Sequence, residues 1–466
     1  SNVEGQTEID RHKTAIPRSS ISAPIFLLQS GAVITKHSSV LDYGCGQGDD
    51  VAALNKAQSN IRGWDPHFLP EAKNLKSCDV VNLGFVLNVI EDREERAEAL
   101  KKAFSYARQC LAVSVMLIGK GDLSNSRPYK DGVRTSRNTF QKYYSQAEIR
   151  EYITETLNQA PIAAGPGVFF IFKDEVAEQR FLFRRQIGYR ATASRDANSI
   201  GSKPTRARGK VPESEKTTVN FLRELIIKLG RYPDESELPS NLQKRVSKSK
   251  HSAAYLSNLA IQGIDTEKLE QVGQLKKDEL SLFFALNAFE QRRQYGELPP
   301  ELQRDVRAFF SSHKRAIDEG RALLFSIGNS ETILADAKAA EKKGIGRLEQ
   351  LKFQFHAQDL HRLPITLRGY ISLGERLAGD LSNATLFKLH ASSKKLTALY
   401  FSDFDTSPLP KLEKRVKIEF QDFNVQEVDH ASQGGVKLLY GRSDFLSEEH
   451  PHYKTQKVFD DQLRAI

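Results

Sequence analysis

Hydrophobic and polar positions follow two different periods along this chain, and the change of period divides it. In the first 180 residues, short apolar runs recur between turn residues: Val40-Leu41 before Asp42, Ile61 before Gly63-Trp64, Val80-Val81 before Asn82, then residues 110–118 and 167–173. Runs of this length, bounded by Gly, Asp, Asn and Pro, predict buried strands, the last a candidate for a final hairpin. From residue 215 the spacing is helical. Val219, Leu222, Leu225, Ile226 and Leu229 lie three or four apart and stop at Gly230. Pro233 with Asp234 or Ser236 predicts the start of a second helix. Residues 278–350 read as mostly helix, with Leu280, Leu282, Phe283, Phe284, Leu286 and Phe289 as a core face. Residues 360–379 predict a further helix, residues 386–390 and 395–401 strands, and residues 416–420 alternate as a half-buried strand does. The expected layout is an α/β domain over 1–180, a linker over 181–214, a helical domain over 215–355 and an α+β domain over 356–466.

The strongest local signal is Asp42-Tyr43-Gly44-Cys45-Gly46-Gln47-Gly48, set between the first strand and a helical pattern. Glycines there let a ligand press against the backbone, and the following helix N-terminus is expected to aim N–H groups at it. The spacing differs from the Gly-x-Gly-x-x-Gly of dinucleotide folds. An acidic residue ahead of the loop, Asp42, suits S-adenosylmethionine, whose amino acid end carries an ammonium group. Asp65 closes the second run, where nucleotide-binding α/β folds hold a ribose diol. The expected cofactor contacts are Asp42, Gly44, Cys45, Gly46, Gly48, Asp65, Pro66, Asn82, Leu83 and Gly84.

On these motifs, residues 11–175 resemble the class I S-adenosylmethionine-dependent methyltransferases, which have a Rossmann-like fold. The whole chain is similar, more narrowly, to the methyltransferase family associated with DNA phosphorothioation. That likeness rests on Arg11-His12-Lys13-Thr14-Ala15-Ile16-Pro17-Arg18, Gly63-Trp64-Asp65-Pro66, Val81-Asn82-Leu83-Gly84, Thr139-Phe140-Gln141-Lys142-Tyr143-Tyr144 and Asp403-Phe404-Asp405. The resemblance implies S-adenosylmethionine as cofactor and an association with DNA modification or phage defence and its protein partners. One departure stands out. Only thirteen residues separate Asp65 from Asp79, so the helix and third strand of a standard core are shortened or missing. The adenine contacts must then come from around Pro66 and Leu75, or from near Asn82.

Asn82-Leu83-Gly84-Phe85 lacks the Pro-Pro that DNA amino-methylating enzymes place after their Asp or Asn, and no cysteine adjoins a proline as in cytosine C5 enzymes. The loop looks more like that of small-molecule and tRNA-modifying enzymes. Residues 11–18 and 139–144 flank the expected site, which makes Asn82, Tyr143, Lys142, His12 and Lys13 the candidates for substrate contact and catalysis.

Charge adds a second theme. The chain carries a net +9, and residues 184–210 hold eight arginines and lysines against one aspartate. This Ser-, Thr- and Gly-rich stretch reads either as a basic linker that neutralises phosphates, through Arg190, Lys203, Arg206, Arg208 and Lys210, or as a tether that charge keeps solvated. Nucleic acid, DNA favoured, is the expected partner. Helix, Gly230-Arg231-Tyr232-Pro233, helix, and then Lys244-Arg245 with Lys248 and Lys250 resemble a helix-turn-helix module, though a hairpin built only for packing reads the same way. Cys45, Cys78 and Cys110 form no disulfide framework and no metal pattern, as expected of a reducing cytoplasm. No apolar run is long enough to cross a membrane. Asp403 and Asp405 are either a metal pair or turn carboxylates; no third ligand at motif spacing accompanies them, and no metal is expected. Three functions remain open: a methyltransferase engaged with nucleic acid, a cofactor-binding scaffold without turnover, and a tRNA or small-molecule methyltransferase.

Overall fold

The computed structural model describes residues 9–15, 20–57, 60–119, 125–188, 211–288, 295–430 and 436–465, the side chains of 187, 188 and 295 excepted. The chain gathers into two units, Ser1–Tyr189 with Ile327–Ile466, and Arg190–Ser326.

In the first unit the early apolar runs form one sheet. β1 (Ser39–Tyr43), β2 (Asn60–Trp64), β3 (Cys78–Gly84) and β4 (Ala107–Ser114) are mutually parallel. A small antiparallel sheet follows, β5 (Arg127–Tyr129), β6 (Gly132–Arg134) and β7 (Phe140–Gln141). The hairpin β8 (Ile162–Gly165) and β9 (Val168–Phe172) then completes the main sheet, β9 running antiparallel to β4. The strand order is β2-β1-β3-β4-β9-β8. Between β2 and β3 the chain makes only a 3-10 turn, Ala72–Asn74, and no strand is added outside β2.

The helices α1 (Ala23–Ser30), α2 (Asp49–Lys56), α3 (Arg93–Tyr106), α4 (Gln146–Leu157) and α5 (Glu175–Gly188) accompany this sheet. Strands covered on both faces read as continuous apolar runs. Leu41, Val81, Leu83, Leu111, Val113, Phe169 and Ile171 are accordingly fully buried in one core with Ile149 and Ile153 of α4. The fourth strand stops at Ser114, short of the expected 118. There the chain leaves the sheet, and Leu117 bridges to Tyr144 instead.

The second unit is helical: α6 (Lys216–Leu229), α7 (Ser240–Lys248), α8 (Ala253–Gln262), α9 (Thr266–Asn287) and α10 (Pro300–Phe310). Val219, Leu222 and Ile226 of α6 share a core with Leu242 of α7 and Leu256 and Leu259 of α8. Asp234 caps only a 3-10 turn, Glu235–Glu237, and the helix expected at Pro233 begins at Ser240 after a second proline, Pro239. Arg231 explains the interruption. Its guanidinium holds Glu237 (2.8 Å) and Asp305 (2.6 Å), so the turn is pinned by ion pairs. The expected core face is buried at Leu280, Leu282, Phe283, Phe284 and Leu286, while Phe289 lies outside the described residues.

α11 (His313–Gly328) spans the unit boundary in sequence, and α12 (Ser330–Lys342) returns the chain to the first unit. There β10 (Arg347–Glu349), β11 (Lys352–His356), β12 (Leu386–His390), β13 (Lys395–Tyr400), β14 (Lys414–Glu419) and β15 (Asn424–Asp429) form an antiparallel meander. The helix expected over 360–379 is split at Pro364 into a 3-10 turn, Ala357–Arg362, and α13 (Ile365–Ala378); α14 (Tyr453–Arg464) closes the described chain. Asp380 N donates to Ala164 O (2.7 Å) and Gln146 Nε2 to Leu377 O (3.0 Å), which ties this half to the β8–β9 hairpin and to α4. At Gly379, with φ +89°, a Cβ would stand 2.0 Å from Gly165 N, so the two backbones meet directly.

Candidate functional site

A cavity of about 840 Å³ opens at the C-terminal ends of β1, β2 and β3. Ligands of open α/β sheets bind at this end of the strands. Its wall includes Tyr43, Gly44, Cys45, Gly46, Trp64, Asp65, Pro66, Gly84 and Phe85.

The glycine loop is built for a cavity, but its amides do not point into one. Gly44 N and Cys45 N both donate to Trp64 O (2.7 and 3.1 Å), and Gly48 N donates to Cys45 O (3.0 Å). Gly46 N donates to Asp65 Oδ2 (3.1 Å). The amides of Gly44, Cys45 and Gly46 thus join β1 to the end of β2, and that of Gly48 closes the loop on itself. Gly44 has φ +79°, and a Cβ there would meet Val86 Cγ2 at 2.4 Å. Gly48, also left-handed at φ +83°, starts α2 and does not line the cavity.

Asp65 serves as a hub. Besides Gly46, its carboxylate accepts from His67 N and Phe68 N (both 2.9 Å), which folds the segment after β2 over the cavity rim. Asp42 stands behind the wall. It is 4% exposed and accepts from Asn82 Nδ2 (2.9 Å) across the β1–β3 register. Neither Asp42 nor Asn82 lines the cavity, and Leu83 is fully buried in the sheet core. Asn82 was expected to contact cofactor and substrate; its amide is turned sideways to the neighbouring strand because Asp42 lies directly opposite. Cavity carboxylates come instead from Asp49, Asp50, Asp65 and Glu95. Burial, with Asp42 and Asp65 nearby, pushes the Cys45 thiol up to about 12.

The cover is made by the segment before α1. Arg11, in a 3-10 turn (Arg11–Thr14), grips Glu91 (2.9 Å) and Glu95 (2.5 Å). Burial alone would raise the Glu91 carboxyl; the Arg11 hydrogen bonds outweigh it and hold that carboxyl below its ordinary value. His12 stacks on His67, ring centroids 4.6 Å apart, and both rings line the cavity. Thr14 and Ala15 also line it, whereas Lys13 turns away to Asp10 (2.7 Å). Ile16, Pro17 and Arg18 lie outside the described residues.

On the far side Tyr143 and Gln141 reach the cavity. Lys142, expected beside Tyr143 as a substrate contact, points the opposite way, as successive residues do on an extended chain. Its ammonium pairs with Glu148 (2.8 Å) and Asp131 (3.4 Å). Asn88 was not foreseen. Fully buried, it receives Met116 N on Oδ1 (3.0 Å) and donates to Lys142 O (2.5 Å), so one side chain holds the loop after β3 against both β4 and β7 exits. Phe85 was also not singled out; it lines the cavity with φ +58°, a conformation costly for a bulky residue.

The basic residues Arg190, Lys203, Arg206, Arg208 and Lys210 lie outside the described residues. Asp403 Oδ1 accepts from Lys411 N (3.0 Å) and its carbonyl from Ser407 N (2.8 Å), a turn arrangement. Among the described residues no three His, Cys, Asp or Glu side chains gather as metal ligands do. No described helix is long and apolar enough to cross a membrane.

No known family model matches the chain, and no curated protein matches it in sequence. Solved structures overlap part of it. The 1,6-didemethyltoxoflavin N1-methyltransferase of Burkholderia thailandensis, with bound 1,6-didemethyltoxoflavin and S-adenosylhomocysteine, is 14% identical. It covers 37% of this chain and 98% of its own, at a TM-score of 0.23. The magnesium protoporphyrin IX methyltransferase of Synechocystis PCC 6803 with S-adenosylhomocysteine is 16% identical over 35% of this chain and 93% of its own (TM-score 0.25). Its complex with S-adenosylmethionine gives 17% over 32% and 75% (TM-score 0.22). These overlaps span about a third of the chain at TM-scores too low to bear on its activity.

Proposed function

We propose that the cavity binds S-adenosylmethionine and that the first unit is a methyltransferase. The observation that carries this reading is the sign of the site. The amides of Gly44, Cys45, Gly46 and Gly48 are bonded internally, which leaves the glycine loop a poorer nest for a diphosphate. The wall meanwhile includes Asp49, Asp50 and Asp65, with Glu95 neutralised by Arg11 beside it, and this acidic excess suits a ligand bearing ammonium and sulfonium charge. A volume of about 840 Å³ lies within the roughly 300–1,000 Å³ of small-molecule sites. The glycine loop and Asp65 would hold the cofactor, with Pro66 and Phe68 beside them.

When bound, S-adenosylmethionine supplies an electrophilic methyl group. The chain has to bring an acceptor atom in line with it, within about 3–3.5 Å. Phe85 and Tyr143 are placed to orient an acceptor, and His12 or His67 to take a proton where one must leave. The Arg11 grip and the stacked His12 exclude water from above.

The acceptor side is proposed to engage nucleic acid, DNA favoured, in a DNA-modification or phage-defence setting within the cytoplasm. Its support is the cationic stretch 184–210 and the family resemblance of the sequence. A second reading, cofactor binding without turnover, draws on the burial of Asn82 and Lys142 in internal contacts.

Titration calorimetry with S-adenosylmethionine and S-adenosylhomocysteine tests the cofactor. Wild type should bind both, and Gly46→Val, which extends a side chain toward Ala15, should bind neither while retaining its circular dichroism. Absence of binding by wild type would sink the reading. Radiolabelled S-adenosylmethionine offered to DNA, total RNA and cell extract separates enzyme from scaffold by whether any fraction takes up label.

A further inference from the structure

We propose that α7, α8 and the turn between them form a docking surface for duplex DNA. The proposal rests on the nucleic-acid part of the reading above and not on the cofactor part.

The two helices are joined by four residues, Ser249 to Ser252. This is the connection length of helix-turn-helix pairs. Their inner faces are fixed: Leu242 on α7, and Leu256, Leu259 and Ala260 on α8, are buried against α6. The opposite face of α7 then carries Lys244, Arg245 and Lys248, all exposed, and the turn adds exposed Lys250. Among the described residues none of these four cations has an ion-pair partner. Three other cations of the unit, Arg231, Arg304 and Lys277, are each paired to a carboxylate. Four neighbouring cations left unpaired repel one another, and a phosphate backbone relieves that repulsion by releasing its counterions.

The outer face of α8 has different chemistry. Tyr255, Asn258 and Gln262 are exposed at helical spacing. Tyr255 stacks on His251 of the turn (4.7 Å), and Asn258 Oδ1 accepts from Tyr232 Oη (2.9 Å). The amide N–H₂ of Asn258 has no partner among the described residues. Fixed amide and aromatic groups on a helix beside a cationic helix match the division of labour on DNA. Cations position the protein on phosphates, and a second helix presents amides to base edges in a major groove wide enough to admit it. The major groove of A-form RNA is too narrow for this, which favours DNA over RNA.

Binding of the full chain to a mixed-sequence DNA duplex, without cofactor, is measured by fluorescence anisotropy between about 50 and 200 mM salt. The variant carries Lys244→Ser, Arg245→Ser, Lys248→Ser and Lys250→Ser, all at exposed positions. The expected result is weaker binding and a salt slope reduced by about 0.9 for each phosphate that is no longer neutralised. Asn258→Ala, with the cations intact, should keep the salt slope and lower discrimination among duplex sequences. An unchanged slope in the fourfold variant overturns the surface even if wild type binds DNA. Failure of wild type to bind duplex overturns the surface and the nucleic-acid reading together, leaving cofactor binding untouched. Equal affinity for duplex RNA overturns the assignment to DNA.

Discussion

Asn82 Nδ2 donates to Asp42 Oδ1 across 2.9 Å, linking β3 to β1 directly behind the candidate cofactor cavity. Both side chains are buried, 1% and 4% exposed, so the bond between them offsets part of the cost of burying their polar groups. Asn82→Ala removes a buried donor and should cost about 1–3 kcal/mol, read as a lower urea midpoint with an unchanged m value. Asn82→Asp sets two carboxylates against each other. That variant should be less stable still at neutral pH and recover part of the loss on acidification.

Gly44 should tolerate no side chain. Gly44→Ala meets both a left-handed backbone and Val86 Cγ2. Such strain costs on the order of 1–3 kcal/mol, and thermal denaturation should show it. Adding Val86→Ala relieves the collision but not the backbone, so the double variant should regain only part of the stability.

Arg11 should control retention of the cofactor. Arg11→Ala frees the covering turn from Glu91 and Glu95. An affinity loss of about tenfold, equivalent to about 1.4 kcal/mol, is expected by calorimetry, with little change in overall stability because the pair is partly exposed. The Glu91 carboxyl is held below its ordinary value of 4.5. Its contribution is therefore complete above that pH and fades as pH falls through the lower folded value.

His390 gives the C-terminal sheet an acid sensitivity at milder pH. Burial, reinforced by Lys388, Lys352, Lys395 and Lys417, brings its imidazole down to about 4 from 6.5. The unfolded chain therefore binds a proton that the folded chain refuses between those values, and stability falls as pH drops from 6.5 toward 4. His390→Gln should flatten that part of a urea-midpoint profile.

What the sequence made legible was local. The parallel strands and the glycine loop follow from apolar runs and from residues that only a left-handed turn requires. What it concealed was pairing at a distance. Asp42 and Asn82 are 40 residues apart. A carboxylate before a glycine loop reads as aimed at a ligand until its neighbour across the sheet is known. Arg11 and Glu91 are separated by 80 residues, so the cover was visible as a segment but its fastening was not. Lys142 and Tyr143 differ by one position on an extended chain, and nothing in their spacing said which of them faced the cavity. β5 and β10 are three residues each, rich in charge or proline, and carry no period at all.

The Gly379–Gly165 contact also sets a schedule. The first unit is interrupted in sequence by residues 190–326, and the backbone that seats against the β8–β9 hairpin comes after that interruption. At about 5–20 residues per second of synthesis, the hairpin waits roughly ten to forty seconds for Gly379 to emerge. The helical unit, which ends at residue 326, is completed within that interval, while the β8–β9 hairpin still stands without its partner segment. The early half is then the part of the newborn chain most in need of a chaperone.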